Sequence, residues 1–178
     1  MEWIVKGGLA VRFSYACDGM DGLILIDEKY LDELDDMLLS ELDILLDRYG
    51  KSELVYDFPG EKWEDVWRRE TKEIVEFCNS GKMVIFLHYE DEKDCEINFS
   101  NFQNGSKTFI DIKSGKLILV NASELIQSLA YPDLEMETLL EIDNLDTSTY
   151  SIKFEGINSI ELKKSSFESE MNNVIELL

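Results

Sequence analysis

The chain has 178 residues, 44% of them hydrophobic, so it is long enough to bury the core of one globular domain. Its 38 acidic residues against 17 basic ones give a formal net charge of −21. A surface of this sign repels nucleic acids and anionic membranes and attracts basic proteins. No apolar run approaches the roughly 20 residues that span a bilayer, and no secretory leader is recognisable, which predicts a cytoplasmic protein.

The first third of the chain predicts strands followed by a long helix. Residues 3–15 indicate one or two strands, and residues 23–26 a short buried strand. Asp27 has the position of a helix N-cap. Leucines at steps of three and four then predict a helix over residues 28–49, which Gly50 ends.

The middle of the chain predicts a second helix and most of the sheet. Residues 54–58 form a short strand in this interpretation, and residues 61–79 a helix that Pro59 and Gly60 open. The apolar run at 83–89 predicts a central strand covered on both faces, followed by a strand at 95–99. Hairpin turns at Asn104-Gly105 and Ser114-Gly115 predict three adjacent antiparallel strands between residues 95 and 120.

The last third adds a short helix and three strands. A capping-box pattern from Asn121 to Glu124 predicts a helix that ends near Ala130. Strands are predicted at 139–142, 150–154 and 159–162, and a closing helical turn or frayed tail at 172–178. The prediction is one acidic α+β domain spanning 1–178, with a single mostly antiparallel sheet of about seven strands and two longer helices and one short helix packed on it.

The negative charge is concentrated in two parts of the sequence. Residues 18–57 hold 13 acids against three bases, and residues 123–162 hold nine acids against Lys153 alone. Residues 59–89, which include the second predicted helix, are close to balance, with six acids and five bases. The acids therefore predict two strongly negative regions, the second of which includes Glu135, Glu137, Glu141 and Asp143.

The first predicted helix carries a regular series of carboxylates. Glu28, Asp32 and Asp36 follow each other at four-residue steps, Asp43 and Asp47 repeat the step, and Asp35 adjoins them. Like-charged pairs at this spacing destabilise a helix by roughly 0.2–0.5 kcal/mol each. We interpret this face as one that a cationic partner neutralises, and the alternative is a face that is simply solvated.

A second acidic cluster lies between two predicted strands, at Glu90, Asp91, Glu92 and Asp94. It is interpreted as part of the same partner-binding surface or as a plain polar hairpin loop. A divalent-metal loop is a third interpretation, although the glycine and the terminal glutamate of an EF-hand are missing.

The catalytic residue types are sparse. His88 is the one histidine and lies in an apolar run, which favours a core residue whose replacement would reduce stability. Cys17, Cys78 and Cys95 are too widely spaced for a disulfide framework or a zinc site. With no phosphate-binding loop or dinucleotide fingerprint either, the sequence predicts a protein that is not an enzyme and has neither cofactor nor metal. A hydrolase using a carboxylate pair stays open, because so many acids produce chance pairs.

The later part of the chain resembles the immunity proteins of bacterial toxin–immunity systems, such as those of contact-dependent growth inhibition. The similarity lies in residues 115–124 (GKLILVNASE), followed by 140–143 (LEID) and 150–154 (YSIKF), together with the small size and the acidity. The resemblance implies a cytosolic protein that caps the active site of a basic toxin domain, usually a nuclease. It transfers no individual site residue.

The leading functional hypothesis is therefore an immunity-type inhibitor that binds a cognate basic toxin domain through its acidic surface. One alternative is a nucleic-acid mimic that inhibits a DNA-binding protein, which needs carboxylates spaced like phosphates. Another is a general acidic adaptor domain.

Overall fold

The structure is a computed structural model, and it describes residues 11–16, 22–46, 54–55, 58–87, 92–100, 102, 106–155, 159–166 and 170–176. These residues form strands and helices in both halves of the chain, so the α+β class is confirmed. The strands are β1 (Val11–Ala16), β2 (Gly22–Asp27), β3 (Leu54–Val55), β4 (Phe58–Lys62), β5 (Met83–Leu87), β6 (Glu92–Phe99), β7 (Thr108–Asp111), β8 (Leu117–Asn121), β9 (Leu140–Ile142), β10 (Thr149–Glu155), β11 (Ser159–Lys164) and β12 (Val174–Glu176). The α-helices are α1 (Asp36–Leu46), α2 (Trp63–Glu70), α3 (Lys72–Phe77) and α4 (Ala122–Ala130).

The strands form two five-stranded sheets and a separate two-stranded one, so the prediction of a single seven-stranded sheet is wrong. The first sheet has the order β1-β6-β11-β10-β7, the second has the order β12-β5-β2-β8-β9, and β3 pairs with β4. Most neighbours are antiparallel, but β11 runs parallel to β6 and β12 parallel to β5. Alternating apolar residues mark a strand without showing which sheet it joins, and this is why the sequence led to one sheet.

The second sheet lies between the first sheet and the helices. One face of β2 and β5 contributes Leu23, Leu25, Val84 and Phe86 to a core shared with the strands of the first sheet. The other face contributes Ile24 and, with its neighbours, packs against α1, α3 and α4. Because both faces are covered, residues 23–26 of β2 and 83–87 of β5 are apolar at every position, as was predicted for the 83–89 run.

The two predicted hairpins between residues 95 and 120 are not formed as pairs of neighbouring strands. β6 and β7 belong to one sheet but are separated by β11 and β10, and Asn104-Gly105 lies outside the described residues. β7 and β8 belong to different sheets, so Ser114-Gly115 is a corner rather than a hairpin. Gly115 has φ +82°, and a Cβ there would come within 3.0 Å of the Leu145 carbonyl oxygen. The prediction that the chain turns at Gly115 was therefore correct, but the prediction that this turn closes a hairpin was wrong.

Over residues 28–46 the predicted long helix is two shorter ones, and its predicted end at residues 47–50 lies outside the described residues. A 3₁₀ helix at Glu28–Glu33 begins at Asp27, whose side chain accepts a hydrogen bond from the Lys29 N–H, and ends at Leu34 in an extended conformation. The α-helix α1 begins only at Asp36. The step of three between Leu31 and Leu34 suits a 3₁₀ helix, in which residues i and i+3 share a face, as well as it suits an α-helix.

The second predicted helix begins later than expected and is divided. Gly60 has φ +85°, which is not a helical conformation, so residues up to Lys62 pair in β4 and α2 starts at Trp63. Thr71 separates α2 from α3, and its hydroxyl donates to the Trp67 carbonyl oxygen at 2.7 Å. The Ile74 N–H, in the first turn of α3, donates to Glu41 of α1 at 2.8 Å.

The predicted C-terminal helical turn or frayed tail is the strand β12. The buried side chain of Asn173 holds it in place, because its Nδ2 donates to the carbonyl oxygens of Cys78, Met83 and Phe109. Its Oδ1 accepts from the Phe109 N–H at 3.1 Å. A single amide therefore joins β12 to β5 and to β7 of the other sheet. The short helix predicted to end near Ala130 is confirmed as α4, although the Asn121 side chain makes no capping hydrogen bond.

Candidate partner-binding surface

Most charges on α2 and α3 form ion pairs with each other or with Glu61 of β4, whereas Asp65 and Glu73 are exposed without an ion pair among the described residues. Arg69 contacts Glu61 at 2.7 Å and Glu70 at 3.0 Å. Arg68 contacts Glu64 at 3.1 Å, and Lys72 lies 3.9 Å from Glu76. Hydrogen bonds to Glu61 and Glu70 raise the pKa of the Arg69 guanidinium. The ion pairs offset most of the charge on these helices, which hold five acids against three bases, a net charge of −2.

The carboxylates of α1 and of the segment before it are not neutralised in this way. Asp32, Asp36 and Asp43 are exposed, and none of them forms an ion pair within the part of the chain that the structure describes. Asp35 is exposed too, and its Oδ1 accepts a hydrogen bond from the Leu38 N–H at 2.9 Å, which caps α1. Asp35 therefore has a structural role as well as a charge.

The predicted single stripe of acids at four-residue steps is not formed. Glu28 and Asp32 lie in a 3₁₀ helix, where residues four apart point in different directions, and Asp36 follows after a break at residues 34–35. Asp36 and Asp43 are seven residues apart on one α-helix and so share a face. Within the described residues, the acidic face of α1 therefore consists of Asp36 and Asp43, and Asp47 lies outside them.

The negative charge of Glu28 is partly offset by Lys116, which lies between Glu28 and Glu141 of β9. Lys116 contacts Glu28 at 3.5 Å and Glu141 at 2.9 Å. The hydrogen bond to Glu141, followed by the charges of Glu141, Glu28 and Asp143, raises the pKa of the Lys116 ammonium.

A second set of exposed carboxylates lies in the connection from α4 to β9. Asp133, Glu135 and Glu137 are exposed, and none has an ion pair among the described residues. The Glu137 N–H donates to Glu124 of α4 at 3.0 Å. Since α1 packs against α4, the structure brings the two acidic regions of the sequence onto neighbouring elements of the helical layer. The excess of acids at 123–162 had indicated this second region, but not its position beside α1.

The predicted acidic cluster at 90–94 and the end of the predicted first helix are described only in part. Asp47, Glu90 and Asp91 lie outside the described residues, as does His88. Glu92 and Asp94 belong to β6, where they pair with Ala16 and Ser14 of β1. The described part of the predicted 90–96 hairpin loop is therefore strand from residue 92 onward.

Buried titratable groups form a structural cluster beneath the 3₁₀ helix. The Tyr30 hydroxyl donates to Asp111 of β7 at 2.5 Å, and Lys113 lies 3.4 Å from the same carboxylate. Burial, with the hydrogen bond to Asp111 and the nearby negative charges, raises the pKa of Tyr30.

Burial also raises the pKa of the Cys78 thiol, which makes it a poor nucleophile.

Asp27, fully buried, completes this cluster. Its carboxylate accepts from Lys29 N–H at 2.8 Å, from Lys113 N–H at 2.9 Å and from Ser114 N–H at 3.0 Å. These contacts join β2 to the corner between the two sheets. Within the described ranges, no group of three or more histidine, cysteine or carboxylate side chains is placed to hold a metal ion.

A cavity of about 440 Å³ opens beside β10 and β12. Its apolar lining is Phe102, Ile152, Phe154 and Ile175, and its cations are Lys107 and Lys153. Lys107 pairs with Glu170 at 3.7 Å and Lys153 with Glu161 at 3.5 Å. The lining also holds the hydroxyls of Ser106 and Thr108, which donate to backbone carbonyl oxygens.

No family model matches the chain, and no curated protein is significantly similar to it. Among solved structures, the chain is similar to a protein described as "Crocagin biosynthetic gene J", with 9% sequence identity and a TM-score of 0.42 over 90% of this chain and 100% of the other. This level of similarity establishes neither a shared fold nor a shared activity. No helix of the described residues is long and apolar enough to cross a membrane.

Proposed function

We propose that this protein is an inhibitor of the immunity type, which binds a basic toxin domain and covers the surface with which that domain grips phosphate. The observation that carries the proposal is the contrast within the helical layer. The three cations of α2 and α3 and most of their carboxylates are paired, Asp65 and Glu73 excepted. In contrast, Asp32, Asp36, Asp43, Asp133, Glu135 and Glu137 are all exposed without a described ion pair.

Unpaired carboxylates on neighbouring elements repel each other and so lower the stability of the free protein. A partner whose lysines and arginines meet them removes that repulsion on binding. The same field accelerates the encounter, because complementary charge raises association rates far above those of neutral surfaces. Nucleic acid and anionic membranes are repelled by it. The toxin class itself comes from the resemblance of residues 115–154 to immunity proteins.

The first experiment identifies the partner and measures how it binds. The tagged protein is recovered from its own cells at low salt, and bound proteins are eluted with NaCl and identified by mass spectrometry. We expect a basic protein with toxin activity, released by salt because the Debye length falls from about 10 Å at 0.1 M to about 3 Å at 1 M. Purified chain should then inhibit the activity of that protein.

A charge series tests whether location matters rather than total charge. The triple variant D32N/D36N/D43N should lower the association rate about tenfold and leave the dissociation rate within a factor of two, since charges at the rim of an interface act on the encounter. The matched control E64Q/E70Q/E76Q changes the net charge equally but removes paired carboxylates, and it should retain most of the rate. Salt-insensitive binding, or an acidic partner, would contradict the proposal.

A further inference from the structure

The connection after α4 exposes two large apolar side chains within one turn. Tyr131 is 64% exposed and Leu134 is 53% exposed. Within the described residues, the only other exposed large hydrophobic side chain is Met37, at 54% on α1, the helix that packs against α4. We call residues 131–134 the apolar turn.

The backbone of the apolar turn is held in place from both sides. The Tyr131 N–H donates to Gln127 at 3.0 Å, and the Leu134 N–H donates to the Tyr131 carbonyl oxygen at 2.9 Å. Two residues further on, Met136 packs against the core beneath the helices, and the Glu137 N–H bonds to Glu124. Pro132 restricts the chain between these contacts. The two side chains are therefore presented on an ordered backbone, which lowers the entropy lost on binding.

The charges around the apolar turn select the kind of surface that fits it. Asp133 lies between the two apolar residues, and Glu135 and Glu137 follow, all three exposed. A second copy of this chain would bring like charges together, and its net charge of −21 opposes self-association further. A basic protein with an apolar depression rimmed by arginine or lysine fits both features. The depression would bury the two apolar side chains, and the rim would form ion pairs with the carboxylates. Tyrosine in such a position is a frequent energetic centre of protein interfaces.

We propose that the apolar turn is the anchor of the interface, with Tyr131 and Leu134 inserting into an apolar depression of the basic partner while Asp133, Glu135 and Glu137 meet its rim. This inference rests on the proposed function and adds to it where the partner is held. The carboxylates of α1 speed the approach, and the apolar turn slows the release.

The test uses two synthetic peptides of equal length and equal arginine content as probes. In one the arginines alternate with leucine, and in the other with serine. Each is titrated into the full isotope-labelled chain and followed by NMR. We expect the arginine–leucine peptide to shift the amide signals of residues 131–137 and to bind about tenfold more tightly than the arginine–serine peptide. Y131A/L134A should abolish that difference, and the conservative Y131F/L134M should retain it.

The outcomes separate this inference from the proposed function. Equal, salt-sensitive binding of both peptides overturns the anchor and leaves the acidic binding function intact. Binding of neither peptide contradicts both. Shifts confined to other residues, or a dimer seen by sedimentation that Y131A/L134A removes, also overturn the anchor. Because both side chains are exposed, Y131A/L134A should melt within about 2 °C of the native chain, which shows that any loss is not unfolding.

Discussion

Tyr30 is the clearest case of a single residue whose chemistry the fold controls. Its ring is buried, its hydroxyl donates to Asp111 at 2.5 Å, and its pKa is raised above the ordinary value of about 10 by burial and by that carboxylate. The neutral form is thus the form that the folded state stabilises. Lys82 lies over the same ring, 5.6 Å from its centroid, and pairs with Glu33, which fixes the 3₁₀ helix to the segment before β5.

The raised pKa of Tyr30 predicts how stability depends on pH. The folded protein keeps the Tyr30 proton above pH 10 while the unfolded chain releases it, so the contribution of Tyr30 is complete below about pH 10 and falls by about 1.4 kcal/mol per pH unit above it. Y30F should lower the free energy of unfolding by about 1–3 kcal/mol at pH 7 and show a smaller loss above pH 10. Urea unfolding of both proteins from pH 7 to 11 measures this, and a constant difference between them would contradict it.

Asp27 and Asp35 are both caps and differ in burial, which makes them a matched pair. Asp27 accepts from three backbone N–H groups in a fully buried position, whereas Asp35 accepts from one at the surface. D27A should lower the free energy of unfolding by about 3–5 kcal/mol, because three buried donors lose their acceptor. D35A should lower it by about 1 kcal/mol. Equal losses in urea unfolding would show that the contacts of Asp27 with Lys113 and Ser114 add nothing.

Asp27 also shows what the sequence reveals at the scale of one residue. Its role as an N-cap followed from its place directly after an apolar strand, and that prediction was correct. Its second role could not be predicted, because Lys113 and Ser114 lie 86 and 87 positions away in the sequence. Nothing local distinguishes a cap that serves one helix from one that also joins two sheets.

At the scale of elements, β12 depends on the side chain of the residue before it. Asn173 is fully buried and makes four hydrogen bonds through its amide. N173A should lower the free energy of unfolding by about 3 kcal/mol or more, since it leaves buried carbonyl groups without donors, and Tm should fall by roughly 6–12 °C. The exposed neighbour provides the control, because N172A should change Tm by about 2 °C or less. Similar losses of Tm in the two variants would contradict the role of the Asn173 side chain in holding β12.

Elements were predicted well where a long apolar pattern marked them and poorly where they were short. β2, β5 and α4 were placed close to their observed bounds. β12 has three residues, too few for alternation to appear, and the tail was therefore interpreted as a helical turn or as frayed. The 3₁₀ helix that replaces the first part of the predicted 28–49 helix places Tyr30 against Asp111 of another sheet. That contact is not local, and helix periodicity alone does not contain it.

At the scale of the whole molecule, the net charge lowers stability by self-repulsion, whereas in the proposed function it favours the binding of a basic partner. A charge of −21 on a compact chain repels itself, and salt screens that repulsion. Raising NaCl from 20 to 500 mM should therefore increase Tm by several degrees, as measured by calorimetry, while weakening partner binding. D32N/D36N/D43N should melt higher at low salt and gain less from added salt. A Tm that falls or does not change would show that the carboxylates are compensated within the fold.

Residue counts were enough to predict the two acidic regions of the candidate surface. They did not predict that the fold brings these regions onto neighbouring elements. The excess at 18–57 and at 123–162 was visible in the sequence, whereas the packing of α1 against α4 depends on which face of which sheet each helix covers. The sequence did not indicate that Tyr131 and Leu134 belong to a binding surface. An apolar residue is expected to be buried, and only the fold shows that these two are exposed.

The strand order has a consequence for synthesis of the chain on the ribosome. β6 needs β11 beside it, and β5 needs β12, so neither five-stranded sheet is complete until residues 159–164 and 174–176 have emerged. Pairings between such distant segments raise the contact order, which places folding in the slow range of milliseconds to seconds. Until then the apolar strands β2 and β5 lack part of their cover and are open to aggregation. During that interval the mutual repulsion of acidic nascent chains keeps them apart, so the negative charge that we propose to attract a partner also protects the chain while it folds.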